Sequence, residues 1–185
     1  MEYTNIQTIE NYLLTEIDLS FQDQVKDWIK AMSAFIEKET GRVFIADTEA
    51  SVRKYDGDGT DSLIIDDCIE IETVKVDNEE VDFLVYPANK TPYTTIKLED
   101  GYFTDGYQNV EVTAKWGYSE NVPEDIKFVA TVLVAGIIQH SLAHEGEVSS
   151  MTMGRYTVSY KNDRQLKDYE QVVKILEDYR RYNEI

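Results

Sequence analysis

Four groups of residues in this chain have types and spacings that could do chemistry. His140 and His144 stand four apart, on one face of a helix and close enough to share a metal, with Glu145 and Glu147 following. A metallohydrolase helix carries Glu directly after the first His, where it serves as general base. Ser141 occupies that place, so no base is supplied. Two partly buried polar residues near a helix end are the simpler reading, since His suits the negative end of the helix dipole without any function. A second group, Asp56-Gly57-Asp58-Gly59-Thr60-Asp61, has the ligand types of a calcium loop. An EF-hand needs Gly at its sixth position and Glu at its twelfth, and Asp61 and Asp67 stand there instead. A glycine-rich turn accounts for it better. The single cysteine, Cys68, follows Asp66 and Asp67, whose charge raises a thiol pKa rather than activating it. The fourth group is the carboxylates, so numerous that chance pairs are expected. No GxSxG elbow, GxxxxGK[ST] loop or GxGxxG turn is present. The sequence therefore assigns no catalytic residue, no metal and no cofactor.

The charge balance narrows the function further. Eighteen Lys plus Arg face 36 Asp plus Glu, a net charge of −18. Tight nucleic-acid binding requires concentrated cations that neutralise phosphates, and no basic run exists here. An acidic surface can still face passing DNA, because it repels phosphate and lets the duplex slide. A lone cysteine permits no internal disulfide, which fits folding in a reducing cytoplasm. The first residues lack the basic and apolar regions of a signal peptide. The longest apolar run, Phe128–Ile138, is too short to cross a bilayer, so no membrane association is expected. Thirteen tyrosines either cap a small core or provide amphipathic contacts for assembly.

The elements that would position these groups follow from periodicity. Thr4 and Gln7 have capping-box spacing ahead of Ile6, Ile9 and Leu13, predicting a helix over residues 5–15. Ser20 to Asp23 gives a second cap signal. Phe21, Val25, Trp28, Met32 and Phe35 then recur at helical spacing as far as Gly41, predicting a helix over 21–40. Between Arg42 and Tyr118 the pattern changes to short β-branched and aromatic runs at 42–45, 51–55, 63–65, 69–76, 81–86, 94–98 and 109–114. A phase slip at Thr73 suggests a bulge, and Asp56–Gly59 and Val76–Asn78 read as turns. After Val122-Pro123-Glu124-Asp125 comes a helix over 126–141 that is apolar almost all round and so must be buried. Residues 151–160 read as extended, a hairpin about Gly154, and Leu166, Tyr169, Val173, Leu176 and Arg180 mark a last helix over 164–182. The expected fold is a single α+β domain. A bundle of about four helices (1–41, 119–146, 162–185) carries a β-rich insert (42–118) and a hairpin-like segment (147–161).

Three passages, taken in order, resemble the phage head–tail connector family, the head-completion or adaptor proteins of long-tailed phages. The first is an early helix followed by Tyr55-Asp56-Gly57-Asp58-Gly59-Thr60-Asp61-Ser62-Leu63. The second is Val112-Thr113-Ala114-Lys115-Trp116-Gly117-Tyr118 running into Val122-Pro123-Glu124-Asp125-Ile126-Lys127. The third is Gly154-Arg155-Tyr156-Thr157-Val158-Ser159-Tyr160 with Ile175-Leu176-Glu177-Asp178-Tyr179-Arg180-Arg181. The resemblance spans roughly residues 20–182, and the large β insert departs from it, since many connectors are shorter and more helical. It implies a structural virion protein, not an enzyme, folded in the host cytoplasm and placed in the neck. There copies of the chain, commonly twelve, form a ring below the portal protein. That ring extends the channel for double-stranded DNA, which passes without specific binding, and offers a platform to a neck or tail-completion protein.

The residues expected to make assembly contacts are Met151, Met153, Arg155, Tyr156, Val158 and Tyr160, with Tyr179, Arg180 and Arg181. Flexible methionines and amphipathic tyrosines suit a surface that adapts to a partner, and an extended strand can add to a sheet edge. The main alternative is a monomeric binding module, calcium-dependent through the DGDG turn, built on the β insert. A metal-dependent hydrolase using His140 and His144 ranks behind it.

Overall fold

The computed structural model describes residues 1–142, 149–153, 156–160 and 163–181, with side chains described for 1–142 and 167–181. The described residues form two compact units: residues 1–41 together with those from 122 onward, and residues 42–121. The fold is α+β, with four helices and a six-stranded antiparallel sheet between the second and third.

The helical unit contains α1 (Ile6–Leu13), α2 (Gln22–Thr40), α3 (Glu124–Leu142) and α4 (Asp163–Tyr179). Helix α3 is apolar on every side, and ten of its residues are buried. By length and hydropathy it could cross a membrane, which the run of apolar residues alone did not suggest. Its apolar surface is instead packed against α1, α2 and α4. Val25, Ile29, Phe35 and Ile36 of α2 meet that core together with Ile9, Tyr169, Val172 and Leu176. A dry core of this kind tolerates polar atoms only when they are bonded. Thr131 donates its hydroxyl to the Lys127 carbonyl at 2.7 Å and accepts that of Thr4 at 2.7 Å.

That hydroxyl pair explains one departure from expectation. Thr4 is buried and faces α3, so it does not cap α1; Asn5 does, accepting from Thr8 N at 2.9 Å. The second expected cap also differs. Asp18 caps a 3-10 turn over Leu19–Phe21, and α2 starts at Gln22 with no side-chain cap. Gly41 ends α2 in the left-handed conformation, φ +68°, as its position implied. The strands β7 (Ser149–Met153) and β8 (Tyr156–Tyr160) form an antiparallel hairpin ahead of α4, and β8 lies against α3.

The second unit is the sheet. Strands β1 (Ser51–Gly57), β2 (Ser62–Val76), β4 (Phe83–Tyr86), β5 (Tyr93–Leu98) and β6 (Gly106–Trp116) are ordered β1-β6-β2-β5-β4, and the two-residue β3 (Glu79–Glu80) pairs with β2. Its core holds Ile65, Val74, Ile96, Phe103, Val110, Val112 and Trp116. The expected runs 63–65 and 69–76 are one strand of 15 residues. Asp66 and Asp67 read as a break in sequence, yet both stay in the strand because cations hold them. Arg53 reaches Asp66 at 2.7 Å, and one Arg42 guanidinium nitrogen lies 2.6 and 2.7 Å from the two Asp67 carboxylate oxygens. The strand is irregular at three places, one of them the bulge between Ile71 and Thr73.

Residues 42–45 do not form the expected strand. They make a single parallel bridge, Ile45 with Ser119, alongside the Tyr118 N to Val43 O bond of 2.9 Å. The chain thus enters and leaves the sheet unit side by side. The run 81–86 is likewise shortened to β4. The turn at Val76–Asn78 is present, with Asp77 and Asn78 both at positive φ, whereas β1 continues through Gly57 and the other turn begins only after it.

Candidate assembly surfaces

The expected contact residues lie on two separate elements. In the hairpin the register pairs Ser149 with Tyr160, Met151 with Val158 and Met153 with Tyr156, alternating with Ser150–Ser159 and Thr152–Thr157. Because the pleat has a period of two, the methionine, tyrosine and valine positions share one face of the hairpin and the Ser/Thr pairs share the other. Gly154 and Arg155 fall outside the described residues, as do His144, Glu145 and Glu147. His140 is exposed on the last turn of α3.

Tyr179, Arg180 and Arg181 sit at the end of α4 and are engaged within the helical unit. The Tyr179 hydroxyl donates to Asp125 at 2.9 Å, at the start of α3. Arg180 Nε donates to the Glu39 carbonyl at 3.2 Å, and Arg181 N to the Thr40 carbonyl at 2.8 Å. The last carbonyls of α2 thereby gain donors that a helix end otherwise lacks. These residues close the bundle, whatever contacts they make beyond it.

The residues with candidate chemistry are dispersed. Asp58 accepts from Thr60 N at 2.9 Å and from Thr60 Oγ1 at 2.7 Å, Asp61 holds Lys97 at 2.9 Å, and Asp56 accepts from Gln108 N at 2.6 Å. These three carboxylates are thus engaged with different partners: Asp58 with Thr60 inside the turn, Asp61 with the Lys97 ammonium on β5, and Asp56 with the Gln108 amide on β6. The Lys97 ammonium, with help from Ser62, holds the Asp61 carboxyl below its ordinary range. Among the described residues no group of three or more His, Cys, Asp or Glu side chains is placed to hold a metal ion. Cys68 is fully buried. Burial, reinforced by the Asp67 charge, pushes its thiol up to about 12. Burial also raises the Tyr55 and Tyr169 phenols.

Sequence reasoning passed over the apolar residues that the sheet unit leaves in solvent. Ile64 is 68% exposed, and Leu84 (45%), Tyr86 (41%) and Val52 (55%) are similarly open. A signal was present in Leu63-Ile64-Ile65: three consecutive apolar residues in a strand must turn one outward. Tyr102 and Tyr107 are also exposed, at 69% and 92%.

No curated protein sequence matches the chain. Solved structures similar to it include a chain from the neck of an empty gene transfer agent (GTA) particle, computed with C6 symmetry. That chain is 14% identical, with a TM-score of 0.59, and the match covers 97% of this chain and 90% of that one. Another is a chain from the neck of a native GTA particle computed with C12 symmetry, 13% identical with a TM-score of 0.55 and the same coverage. At these identities the likeness is one of fold. The sequence model of the head completion protein family matches residues 2–182, nearly the whole length, and the chain belongs to that family.

Proposed function

We propose that this head completion protein is a structural connector of the virion neck, whose copies form a ring below the portal. The ring extends the DNA channel and receives the next neck or tail-completion protein. The family match over residues 2–182 carries this reading, and the fold shared with neck chains of symmetric particles supports the ring. The protein transforms no substrate. The carboxylates of its one calcium-like turn are engaged by Thr60, Lys97 and Gln108, which favours neither a calcium-dependent module nor catalysis. Its charge of −18 suits a channel wall that must not retain DNA.

In this reading the β7–β8 hairpin is the portal-contacting element, through the face bearing Met151, Met153, Tyr156, Val158 and Tyr160. The test mixes purified chain with DNA-filled heads that lack it and measures co-sedimentation. The full chain should sediment with heads, and a variant lacking Ser149–Tyr160 should stay folded yet remain in the supernatant. A full chain that never joins the heads overturns the connector reading. Undiminished attachment of the deletion variant overturns the hairpin's part in it.

A further inference from the structure

The segments that lead into and out of the sheet unit are bonded to each other and close it. Tyr118 N donates to the Val43 carbonyl at 2.9 Å, Ala46 N to that of Ser119 at 2.9 Å and Asp47 N to that of Trp116 at 2.8 Å. Ile45 and Ser119 form a parallel bridge, so the two segments run alongside in the same direction. Side chains seal the same corner. The Phe44 and Tyr118 rings lie 5.6 Å apart, and the Arg42 guanidinium stands over Tyr118. Asp67 holds Arg42 through its carboxylate and Gly117 N through its carbonyl, the latter at 2.7 Å. Closing a long loop costs entropy, and here contacts inside the unit offset that cost.

Each unit also has a core of its own. Ile65, Cys68, Ile96, Phe103 and Val112 are fully buried in the sheet unit. Ile9, Val25, Ile36, Val132 and Val172 are fully buried in the helical unit. Both junctions interrupt regular structure. Helix α2 stops at Gly41, whose left-handed φ of +68° ends its ladder, and α3 starts after Pro123, which has no N–H to extend it backwards. Many domains of roughly 55–65 residues fold alone, and residues 42–121 exceed that length.

We infer that residues 42–121 are an inserted module that folds and unfolds as a cooperative block of its own, separately from the helical unit. The corner of Arg42, Phe44, Asp67, Gly117 and Tyr118 is the device that makes this possible. It ties the ends of the insert together from within, so the helices can open without releasing them. Opening of the insert likewise leaves the packing of α3 against α1, α2 and α4 in place.

The two tryptophans provide the test in the full chain, since Trp28 lies on α2 and Trp116 is buried on β6. In Trp28→Phe, fluorescence of Trp116 follows the sheet unit, while far-ultraviolet circular dichroism follows the helices. Val132→Ala removes methyl groups from the helical core and Ile96→Val one from the sheet core, changes small enough for the chain to stay folded. In urea, Val132→Ala should lower the helix midpoint by about 0.5 M and leave the Trp116 midpoint where it was. Ile96→Val should do the reverse. Midpoints that move together with either substitution overturn the inference. Amide exchange followed by mass spectrometry reads the same outcome by segment. Val132→Ala should speed exchange in α2 and α3 and spare β2, β5 and β6; acceleration in both sets would equally overturn it.

Discussion

Arg42 and Asp67 form the most consequential charged pair in the sheet unit. The Asp67 side chain is 5% exposed and that of Arg42 19%, and the guanidinium also lies over the Tyr118 ring, 5.6 Å from its centroid. Removing the cation leaves a buried carboxylate without its counter-charge. Arg42→Ala should therefore destabilise the protein by about 3–5 kcal/mol in denaturant melts. Lys97→Ala breaks an ion pair whose members are 44% and 42% exposed, and should cost about 0–1 kcal/mol. Equal losses would mean that burial does not set the value of these pairs. Cys68 makes a second prediction. Its ordinary value of 9.0 rises to about 12 in the folded chain, so above pH 9 the unfolded state loses a proton that the native state keeps. The native contribution is complete below pH 9 and falls away as pH climbs towards 12. Wild type should lose stability across that window more steeply than Cys68→Ala, and the native thiol should resist alkylation at pH 8. Rapid labelling of the folded protein would contradict the burial.

Among the elements, the boundaries that depend on local chemistry were legible in the sequence, and those that depend on distant partners were not. Gly41 after a helical stripe, proline before Glu124 and an all-apolar α3 each announce themselves through rules that operate within a few residues. Thr4 has the sequence signature of a cap, but its hydroxyl faces Thr131, 127 residues away. Asp66 and Asp67 look like a turn because Arg53 and Arg42 are remote in sequence. The same limit applies to the assembly surfaces. The hairpin's alternation was visible, whereas the exposed Ile64, Leu84 and Tyr86 come together on one face only through the strand register. Gly117 shows a distant constraint that can be tested. Its φ is +136°, and a Cβ there would collide with the Ala46 backbone, while at Gly41 the nearest atom would be Arg181 Cβ at 3.6 Å. Gly41→Ala should cost about 1 kcal/mol for conformation alone. Gly117→Ala should cost several times more, because Ala46 N and Asp47 N are both bonded to this corner, to Ser119 O and Trp116 O. Similar thermal midpoints for the two variants would refute that account.

At the scale of the whole molecule, the dominant quantity is charge. A ring brings many copies of a −18 chain together, and their repulsion opposes assembly until it is screened or offset by contacts. Raising ionic strength from about 0.01 M to 0.15 M shortens the Debye length from about 30 Å to 8 Å. Oligomer formation followed by sedimentation velocity should therefore increase with salt, the reverse of what a phosphate-binding protein shows on DNA. Assembly that weakens with salt would mean that attractive ion pairs, not apolar contacts, hold the copies together. The excess of acidic residues along the chain then has a physical sense: it keeps free subunits apart and DNA unbound. The measurement that bears most directly on the connector assignment is imaging of the neck of DNA-filled particles with and without this protein. A ring of density below the portal, into which the four helices and the six-stranded sheet fit, and which vanishes from particles lacking the gene, is the predicted result. Particles whose necks are unchanged by its loss would contradict it.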